Sequence, residues 1–348
     1  MANMKALISA EGKTASVKSI PIPTPAEGEI LVKVHYVAQN PADWKVMAQV
    51  PPGRIIGCDF AGTVSHPNGS SWRENQRVAG FVQGTAVNPT RGAFAEYVVV
   101  ESSLVYAIPD KLSYQDAAVV PLAFATAIQA LFQRLKLPEP SKPAKSAFPV
   151  LVNGGTSSVG KYAVQLAKHA GLFVVATGSK RNHELLASYG ADVVVDYNDT
   201  DWIEQIRKAT HDGLEHAFDC ISELETTKAI AGALSSKKGG HIVTILPRKS
   251  VELDPAHSQV RVESTIVYTV FQRTIQYGAF DNCGSETPED KAFWEKYLSL
   301  LPEYYLTSGT IKPNRVKEFG GIEDILKGFE LQKEGKVSAE KLVYKIAS

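Results

Sequence analysis

The stretch PVLVNGGTSSVGKYAVQLAKHAG, residues 149–171, decides the fold of this chain of 348 residues. Its start, PVLV, is a short apolar run typical of a buried strand, and the small residues that follow favour a tight turn. From about residue 158 onward, apolar residues recur at helical spacing. The stretch therefore predicts a strand, a glycine-containing turn and an amphipathic helix, in that order.

Strand-like and helix-like runs continue to alternate after this stretch. The strand-like runs are LFVVATG, ADVVVDY, HAFDCIS and GHIVTIL, and the helix-like runs between them are NHELLASYG, WIEQIRKAT and ETTKAIAGALSSKKG. Such alternation is typical of a parallel sheet with helices on both faces. We therefore predict a doubly wound α/β domain of the Rossmann type, whose first unit binds the pyrophosphate of a dinucleotide.

The glycine turn matches the GxGxxG fingerprint of such units with one replacement, because Ser157 stands at the second position between Gly155 and Gly160. We expect Gly155 to take the tight turn and Gly160 to let the helix pack closely on the strand. Backbone N–H groups would face the pyrophosphate at the helix N-terminus. The predicted cofactor-binding residues here are Gly155, Thr156, Ser157, Ser158, Val159 and Gly160. A plain strand-to-helix connection is the alternative interpretation.

The next strand-like run ends in ATGSKRN, where NAD-binding folds usually carry a carboxylate for the ribose 2′-OH. Ser179, Lys180 and Arg181 stand there instead. A serine hydroxyl and two cations suit a 2′-phosphate, which Arg can bind in a bidentate manner. This pattern predicts NADPH as the cofactor. In the alternative interpretation both cations belong to the start of a solvated helix, where the helix dipole disfavours them.

Composition excludes several classes of function. Lys and Arg number 37 and so do Asp and Glu, so no overall charge favours nucleic acid or an anionic membrane. The N-terminus lacks the apolar run of a signal peptide, and we expect no later segment to approach the roughly 20 apolar residues that span a bilayer. Three widely spaced cysteines, Cys58, Cys220 and Cys283, suggest no disulfide framework. We predict a cytoplasmic protein without membrane or nucleic-acid partners.

The segments on either side of the alternating region have a different pattern of apolar and polar residues. ILVKVHYV (residues 30–37) alternates apolar and polar residues, so the first hundred residues predict mostly strands. Ser113 followed by Asp116 predicts a helix start. Near the other end, residues 291–309 predict an amphipathic helix and KLVYKIA (residues 341–347) a final strand. The final strand is consistent with a chain that returns to its first domain.

Longer motifs carry a family resemblance over nearly the whole chain. They are QNPADWK (39–45), IIGCDFAGTV (55–64), GAFAEYVVV (92–100), DAAVVPLAFATAIQAL (116–131) and VSAEKLVY (337–344). These motifs resemble the medium-chain dehydrogenase/reductase superfamily. VPLAFATA, FDCIS followed by ETT, and GGHIVTILP resemble more narrowly the fungal enoyl reductases that act in trans with polyketide synthases, with quinone oxidoreductases as the next branch.

The resemblance implies a GroES-like, mostly β catalytic domain made of residues 1–122 and 273–348. It implies a Rossmann NADPH-binding domain over residues 123–272, with a cleft where nicotinamide meets substrate. The superfamily's alcohol dehydrogenases hold a catalytic zinc, but here Asn40 stands at the first Cys ligand, and Cys58 and Asp59 replace the His-Glu pair. We therefore predict no metal, because zinc needs thiolate and imidazole ligands in tetrahedral array.

Without zinc to polarise an alcohol oxygen, reduction of an activated C=C becomes the predicted reaction. Hydride would reach the β-carbon of an α,β-unsaturated carbonyl compound, and charge would collect on the carbonyl oxygen as an enolate. The alternative enzyme is an NADPH quinone oxidoreductase. The alternative of another class is a non-catalytic, NADPH-binding regulatory protein. No histidine shows a pairing that suggests catalysis.

Three residues are candidates for catalysis. The resemblance implies that Lys45 is a cofactor-binding or active-site cation, the alternative being a surface lysine after a turn. Asn40 is an uncharged donor and acceptor for cofactor or substrate, or else a turn residue. Thr126 maps onto a family threonine at the nicotinamide, so it is also a cofactor contact, unless it only bonds the preceding helical turn. Asp43 is expected to cap a short helix.

Further cofactor contacts come from the same resemblance. Tyr197 would lie against the adenine, Leu246 and Pro247 would offer backbone contacts near the nicotinamide, and Lys341 would reach the cofactor unless it is a strand-edge lysine. Three aromatic residues either wall a substrate pocket or fill a core: Tyr268, Phe271 and Tyr277. The predicted substrate is a small molecule or a thioester, free or on a polyketide synthase acyl carrier. The protein is predicted to be a monomer, or a homodimer through an edge strand at VRVESTIVYTV (260–270).

Overall fold

A computed structural model of the chain describes residues 2–85, 88–272, 275 and 287–346. The chain divides into two compact units. The first unit comprises Met1–Leu122 and Tyr268–Ser348, and the second unit comprises Ala123–Val267. Tyr277 and Cys283, which the sequence analysis named, lie outside the described residues.

Strands and helices are numbered in chain order. The strands are β1 (Asn3–Ala10), β2 (Thr14–Pro21), β3 (Glu29–Ala38), β4 (Asp59–His66), β5 (Arg77–Phe81), β6 (Tyr97–Glu101), β7 (Val105–Ala107), β8 (Pro149–Asn153), β9 (Phe173–Thr177), β10 (Val193–Val195), β11 (His216–Asp219), β12 (Gly240–Thr244), β13 (Val260–Ser264), β14 (Val316–Gly321) and β15 (Lys341–Lys345). The α-helices are α1 (Pro41–Met47), α2 (Tyr114–Ala118), α3 (Pro121–Ile128), α4 (Ser158–His169), α5 (His183–Ser188), α6 (Trp202–Ala209), α7 (Leu224–Ala233), α8 (Pro288–Leu300) and α9 (Ile325–Lys333).

The first unit is built on a seven-stranded sheet. Its strand order is β14-β15-β3-β4-β5-β7, with β6 paired to β3, and β1 and β2 form a separate two-stranded sheet. The predicted alternation in β3 is confirmed. Val32 and Val34 are fully buried in the core, whereas Lys33 and His35, on the other face of the strand, are only partly buried. β15 pairs with β14 on one side and with β3 on the other, so a late segment completes a sheet that the first strands begin.

The second unit is a six-stranded, parallel sheet with strand order β10-β9-β8-β11-β12-β13. The order reverses between β8 and β11, as in a doubly wound Rossmann sheet. Its strands are nearly continuous apolar runs because both faces are buried, with Leu151, Val175 and Ile242 in the core. β13 is an edge strand of this sheet, so the edge strand predicted at residues 260–270 is confirmed for Val260–Ser264, whereas Val267–Phe271 form a 3-10 turn.

The predicted helix start at Ser113 is confirmed: its side chain accepts a hydrogen bond from the backbone N–H of Asp116. The expectation that no segment approaches bilayer length was wrong for Tyr114–Arg134. These 21 residues form a helical stretch apolar and long enough to span a bilayer, but 89% of its most apolar window is buried inside the protein. It is a core helix, whose apolar character serves packing.

Candidate functional site

The turn between β8 and α4 differs in one residue from the prediction. Gly154, with φ of +70°, takes the left-handed conformation, not Gly155. Gly155 is instead closely packed, because a Cβ there would lie 3.1 Å from Leu186 Cδ2 and 3.2 Å from the carbonyl oxygen of Thr177. The first fingerprint glycine therefore allows close approach of β9, while its predecessor makes the turn.

The N-terminus of α4 is arranged as the sequence predicts for the third glycine. A Cβ on Gly160 would lie only 2.2 Å from the carbonyl oxygen of Gly154, so only glycine fits there. The Ser157 side chain accepts a hydrogen bond of 2.9 Å from the backbone N–H of Gly160 and so serves as the N-cap. Residues 156–159 are partly exposed, as an anion site at this helix end requires.

A row of buried polar side chains at the ends of β8, β9 and β11 was missed by the sequence analysis. The Thr177 hydroxyl accepts from the backbone N–H of Gly154 at 2.8 Å and donates to Asn153 Oδ1 at 2.6 Å. Asn153 Nδ2 in turn donates to Asp219 Oδ1 at 2.8 Å. The signal was present, because each residue is the polar end of an apolar run. The row fixes the glycine turn against three neighbouring strands.

The predicted phosphate site follows β9 directly. Lys180 and Arg181 are exposed in a short 3-10 turn, and Ser179 Oγ accepts from Asn182 Nδ2 at 3.1 Å. Asp196, which follows β10, was not among the residues predicted for this site. Its Oδ2 accepts a hydrogen bond of 2.9 Å from the backbone N–H of Lys180. An acid that follows the neighbouring strand is thus bonded to the main chain of the turn that carries the two cations.

Asp196 is tied to the main chain. Its Oδ1 accepts from both the backbone N–H and Nδ2 of Asn198, at 2.9 and 2.7 Å. These bonds from Asn198, together with that from Lys180, lower the pKa of the Asp196 carboxyl. The next residue along the chain, Tyr197, is 51% exposed.

The other predicted cofactor contacts of the second unit lie on two elements. Thr126 is on α3 and is 8% exposed. Leu246 and Pro247 follow β12 and are partly buried. Their carbonyl groups already accept hydrogen bonds within the chain: that of Leu246 from the hydroxyls of Thr244 and Ser264 at 2.8 and 3.0 Å, and that of Pro247 from Arg248 at 2.8 Å.

The first unit contains a buried polar cluster, which consists of Asn40, Asp43, Cys58, Asp59, Tyr268 and Lys341. At its centre is Asp59, which has no exposed surface. Its Oδ2 accepts from Lys341 Nζ at 2.6 Å and from Asn40 Nδ2 at 2.8 Å. Its Oδ1 accepts from the backbone N–H of Leu122, in the first turn of α3, at 2.8 Å. The structure thereby brings together Asn40 and Lys341, which the sequence analysis predicted separately.

Asp43 lies at the third position of α1, and its Oδ2 accepts a hydrogen bond of 2.7 Å from the backbone N–H of Asn40. Its predicted capping role is confirmed, but its burial is a new finding. Burial raises the pKa of the Asp43 carboxyl to about 7, against a lowering by Asn40 and by a hydrogen bond with the Cys58 thiol. Among the residues that the structure describes, no nitrogen or oxygen donor reaches its Oδ1.

Cys58 and Tyr268 complete the cluster. Cys58 Sγ lies 3.2 Å from Tyr268 Oη. Burial, and then the nearby Asp43, raise the pKa of the Cys58 thiol well above its usual range, so it stays protonated.

Phe271 packs edge-on against Phe81 with ring centroids 5.2 Å apart. Tyr268 and Phe271 are 5% and 7% exposed, so in the first unit both contribute to a packed core.

Lys45 lies in the last turn of α1 and is partly exposed. Its Nζ lies 5.6 Å from the centroid of the Trp44 ring, and Lys333 Nζ lies at the same distance from that ring. These are cation–π distances. Lys45 is therefore available to a ligand, unlike Lys341, whose ammonium is held by Asp59.

Asn40, Cys58 and Asp59, which the resemblance aligns with zinc ligands, do not fit zinc. The Lys341 ammonium neutralises the Asp59 carboxylate. A carboxylate can only accept hydrogen bonds, so Asn40 turns its NH₂ group, not its oxygen, towards Asp59. Within the described ranges, no three His, Cys, Asp or Glu side chains are grouped so that they could hold a metal ion. A tetrahedral zinc site needs several deprotonated ligands, and this arrangement does not offer them.

Comparison with known protein families agrees with this architecture. Residues 26–110 match the family model described as alcohol dehydrogenase GroES-like domain, and residues 158–281 match that described as zinc-binding dehydrogenase. The fold is α/β, with a GroES-like domain towards the N-terminus and a Rossmann-type domain with a six-stranded parallel sheet. This combination defines an oxidoreductase class.

Individual relatives are similar to this chain over nearly its whole length. The chain is 38% identical to a zinc-type alcohol dehydrogenase-like protein of Schizosaccharomyces pombe, over 99% of this chain and 100% of that one. It is 36% identical to trans-enoyl reductase ACTTS2 of Alternaria alternata, again over 99% and 100%. Its fold is similar to that of the quinone oxidoreductase from Coxiella burnetii, with a TM-score of 0.75 and 22% identity over 99% and 100% of the two chains. The protein belongs to the medium-chain dehydrogenase/reductase superfamily.

Proposed function

We propose that this protein is an NADPH-dependent enoyl reductase that transfers hydride to a C=C bond conjugated with a carbonyl group and works without a metal. The observation that carries the proposal is the buried pair of Asp59 and Lys341. It puts an ammonium beside the carboxylate where a metal-dependent relative would need ligands. The trans-enoyl reductases among the relatives, at 34–36% identity, support the same reaction.

The cofactor would be held by the second unit. The first turn of α4, with the backbone N–H groups of residues 156–159, suits the pyrophosphate. Ser179, Lys180 and Arg181 suit the 2′-phosphate, since two exposed cations follow β9 directly. Asp196 accepts main-chain hydrogen bonds from Lys180 and Asn198, which hold its carboxylate against the same turn. When bound, NADPH supplies the hydride from its nicotinamide.

The protein's own groups would act on the acyl carbonyl and on the cofactor. Negative charge that develops on the carbonyl oxygen needs a donor, and each preorganised donor stabilises it by about 3–4 kcal/mol. Lys45 is the cationic candidate because its ammonium is not held by an acid among the described residues. Asn40 can offer a ligand only its Oδ1, because its NH₂ donates to Asp59 and to the carbonyl of Ala38. Thr126 is a further cofactor contact in this proposal.

The substrate we propose is an acyl thioester, carried by the acyl carrier of a polyketide synthase in the cytoplasm. The experiment is NADPH oxidation by the protein, dialysed against EDTA, with crotonyl-N-acetylcysteamine, an alkenal and a quinone. Turnover with the thioester after metal removal is expected. Preference for the quinone would favour the quinone oxidoreductase branch. Tight NADPH binding without transfer to any acceptor would favour a regulatory protein and contradict the proposal.

A second experiment tests the cofactor assignment. Replacing Lys180 and Arg181 by Ala should weaken NADPH by about 1.5–3 kcal/mol per lost charged hydrogen bond and leave NADH nearly unaffected. Dissociation constants from nucleotide fluorescence measure this. Lys237→Ala, at an exposed lysine after α7, is the matched control and should change neither constant. Equal losses for both nucleotides would remove the phosphate assignment.

A further inference from the structure

A groove of about 260 Å³ lies on the surface of the first unit. Its floor is apolar, made by Met47 of α1 and by Leu326 and Phe329 of α9. The volume is below the roughly 300–1,000 Å³ of small-molecule pockets, so the groove suits one or two apolar side chains of a partner. Met47 is buried, and methionine adapts its shape to such partners.

The rim of the groove is basic. Lys13, in the turn between β1 and β2, lines it together with Lys327 and Lys333 of α9, while Glu330 is the one acid among its lining residues. The whole chain has no net charge, so this excess of cations is a local feature. A basic rim around an apolar floor is complementary to an acidic, amphipathic helix.

These lysines are free to change partners. Lys327 pairs with Asp324 at 2.9 Å and Lys333 with Glu330 at 2.7 Å, both three residues apart on an exposed surface. Such pairs contribute between zero and about 1 kcal/mol, so an incoming carboxylate can replace them at little cost. Lys13 has no ion-pair partner among the residues that the structure describes.

The groove adjoins the helix that carries the proposed active-site cation. Met47 stands two residues after Lys45 on α1, and the Lys333 ammonium that lines the rim lies 5.6 Å from the Trp44 ring, as does that of Lys45. The Trp44 ring therefore links the rim, through Lys333, to Lys45. A partner that delivers the substrate on a flexible arm has reason to bind there.

We propose that this groove docks an acidic helix of the acyl carrier protein that delivers the thioester. One or two apolar side chains of that helix enter the floor made by Met47, Leu326 and Phe329, and its carboxylates pair with Lys13, Lys327 and Lys333. This inference rests on the proposed function and names the partner for the same reaction.

The test compares one acyl group in two forms: crotonyl-pantetheine on a small acidic acyl carrier protein, and neutral crotonyl-N-acetylcysteamine. The double variant Lys13→Glu/Lys327→Glu reverses two rim charges, and Lys111→Glu/Lys237→Glu makes the same charge change at exposed lysines outside the groove. In the rim variant, kcat/KM for the carrier-bound substrate should fall about tenfold or more through KM. That for the neutral thioester should stay within about twofold, because it carries no charge to steer.

Salt provides a second measurement. For the unaltered protein, kcat/KM with the carrier-bound substrate should fall as KCl rises from about 50 to 300 mM, and the rim variant should lose most of this dependence. Equal losses with both substrates, or equal losses in both double variants, would overturn the docking proposal. A similar loss with crotonyl-CoA would overturn it too, by assigning the rim to phosphates. If the unaltered protein reduces neither the carrier-bound nor the neutral thioester, the proposed function itself fails.

Discussion

The glycine turn of the second unit and the buried polar cluster of the first unit are built from the sequence in different ways. The side chains that hold the glycine turn are closer in the chain, with Thr177 and Asn153 24 positions apart and Asn153 and Asp219 66 apart. In the polar cluster Lys341 reaches Asp59 over 282 positions. Local hydrogen bonds and helix capping determine the first region, whereas the pairing of β15 with β3 determines the second.

This difference decides how each region should respond to mutation. The polar cluster buries charges, so removing one partner leaves another without compensation in a medium of low polarity. The glycine turn buries backbone, so it is sensitive to added volume instead. Three variants test these two modes of failure, in order of decreasing expected effect.

Lys341→Met should destabilise the protein most. It leaves the Asp59 carboxylate buried without its ammonium, and breaking a buried ion pair in this way costs about 3–5 kcal/mol. The free energy of unfolding in urea measures it. Lys317→Met is the control, since Lys317 forms an exposed pair with Glu340 at 2.8 Å and should cost less than about 1 kcal/mol. Similar small losses in both variants would show that Asp59 is not a buried, charged centre.

Asp43→Asn should change the pH dependence of stability. The folded protein keeps a proton on Asp43 up to a pKa of about 7, while the unfolded chain releases it near 3.8. The folded state therefore binds more protons in this window, and stability falls as pH rises from about 4 to 7, by up to about 4 kcal/mol.

Asparagine cannot ionise, so the Asp43→Asn variant should lose this fall, matching the unaltered protein near pH 4 and exceeding it near pH 8. Urea unfolding at both pH values measures the difference. Asp116→Asn provides the control, because Asp116 holds the same third position in α2 but is only partly buried. An unchanged pH profile in Asp43→Asn would contradict the burial of this proton.

Gly160→Ala should have the smallest effect on stability but a large one on the nucleotide. Its methyl group would lie 2.2 Å from the carbonyl oxygen of Gly154, and such overpacking costs about 1–3 kcal/mol. The displaced turn should also weaken NADPH at least tenfold. Thermal unfolding and nucleotide titration measure both. Gly232→Ala in α7 is the control, since its methyl would meet nothing closer than 3.9 Å and should be neutral or stabilising.

The sequence predicted the second unit well because its signals are local. The alternation of strands and helices, the role of Gly160 and the edge strand at β13 all follow from spacing within short windows. The exchange of roles between Gly154 and Gly155 was not predictable, because neighbouring glycines have the same backbone freedom and only the approach of Leu186 and β9 separates them. Asp196 was missed because strand pairing, not chain distance, brings it to Lys180.

The polar cluster was predicted only in pieces. Asp43 was expected to cap α1, which short spacing reveals, but its burial depends on Cys58 and on other elements of the first unit. Asn40 and Lys341 were each predicted separately to contact a cofactor or substrate, because no local sequence pattern indicates that both bind one carboxylate. Their shared partner Asp59 became visible only when the sheet order of the first unit was known.

The insertion of β15 between β14 and β3 has a consequence for biosynthesis. Domains fold during translation as their residues leave the ribosome, so residues 123–267 can form their sheet while the polypeptide is still growing. The first sheet can be completed only after residues 341–345 emerge, because until then Asp59 has no ammonium partner and residues 36–38 of β3 lack their pairing with β15. The earliest translated part of this protein thus becomes complete only with its last strand, and nascent chains stalled before residue 341 should leave the Ala38 end of β3 and the Asp59 carboxylate without their late partners.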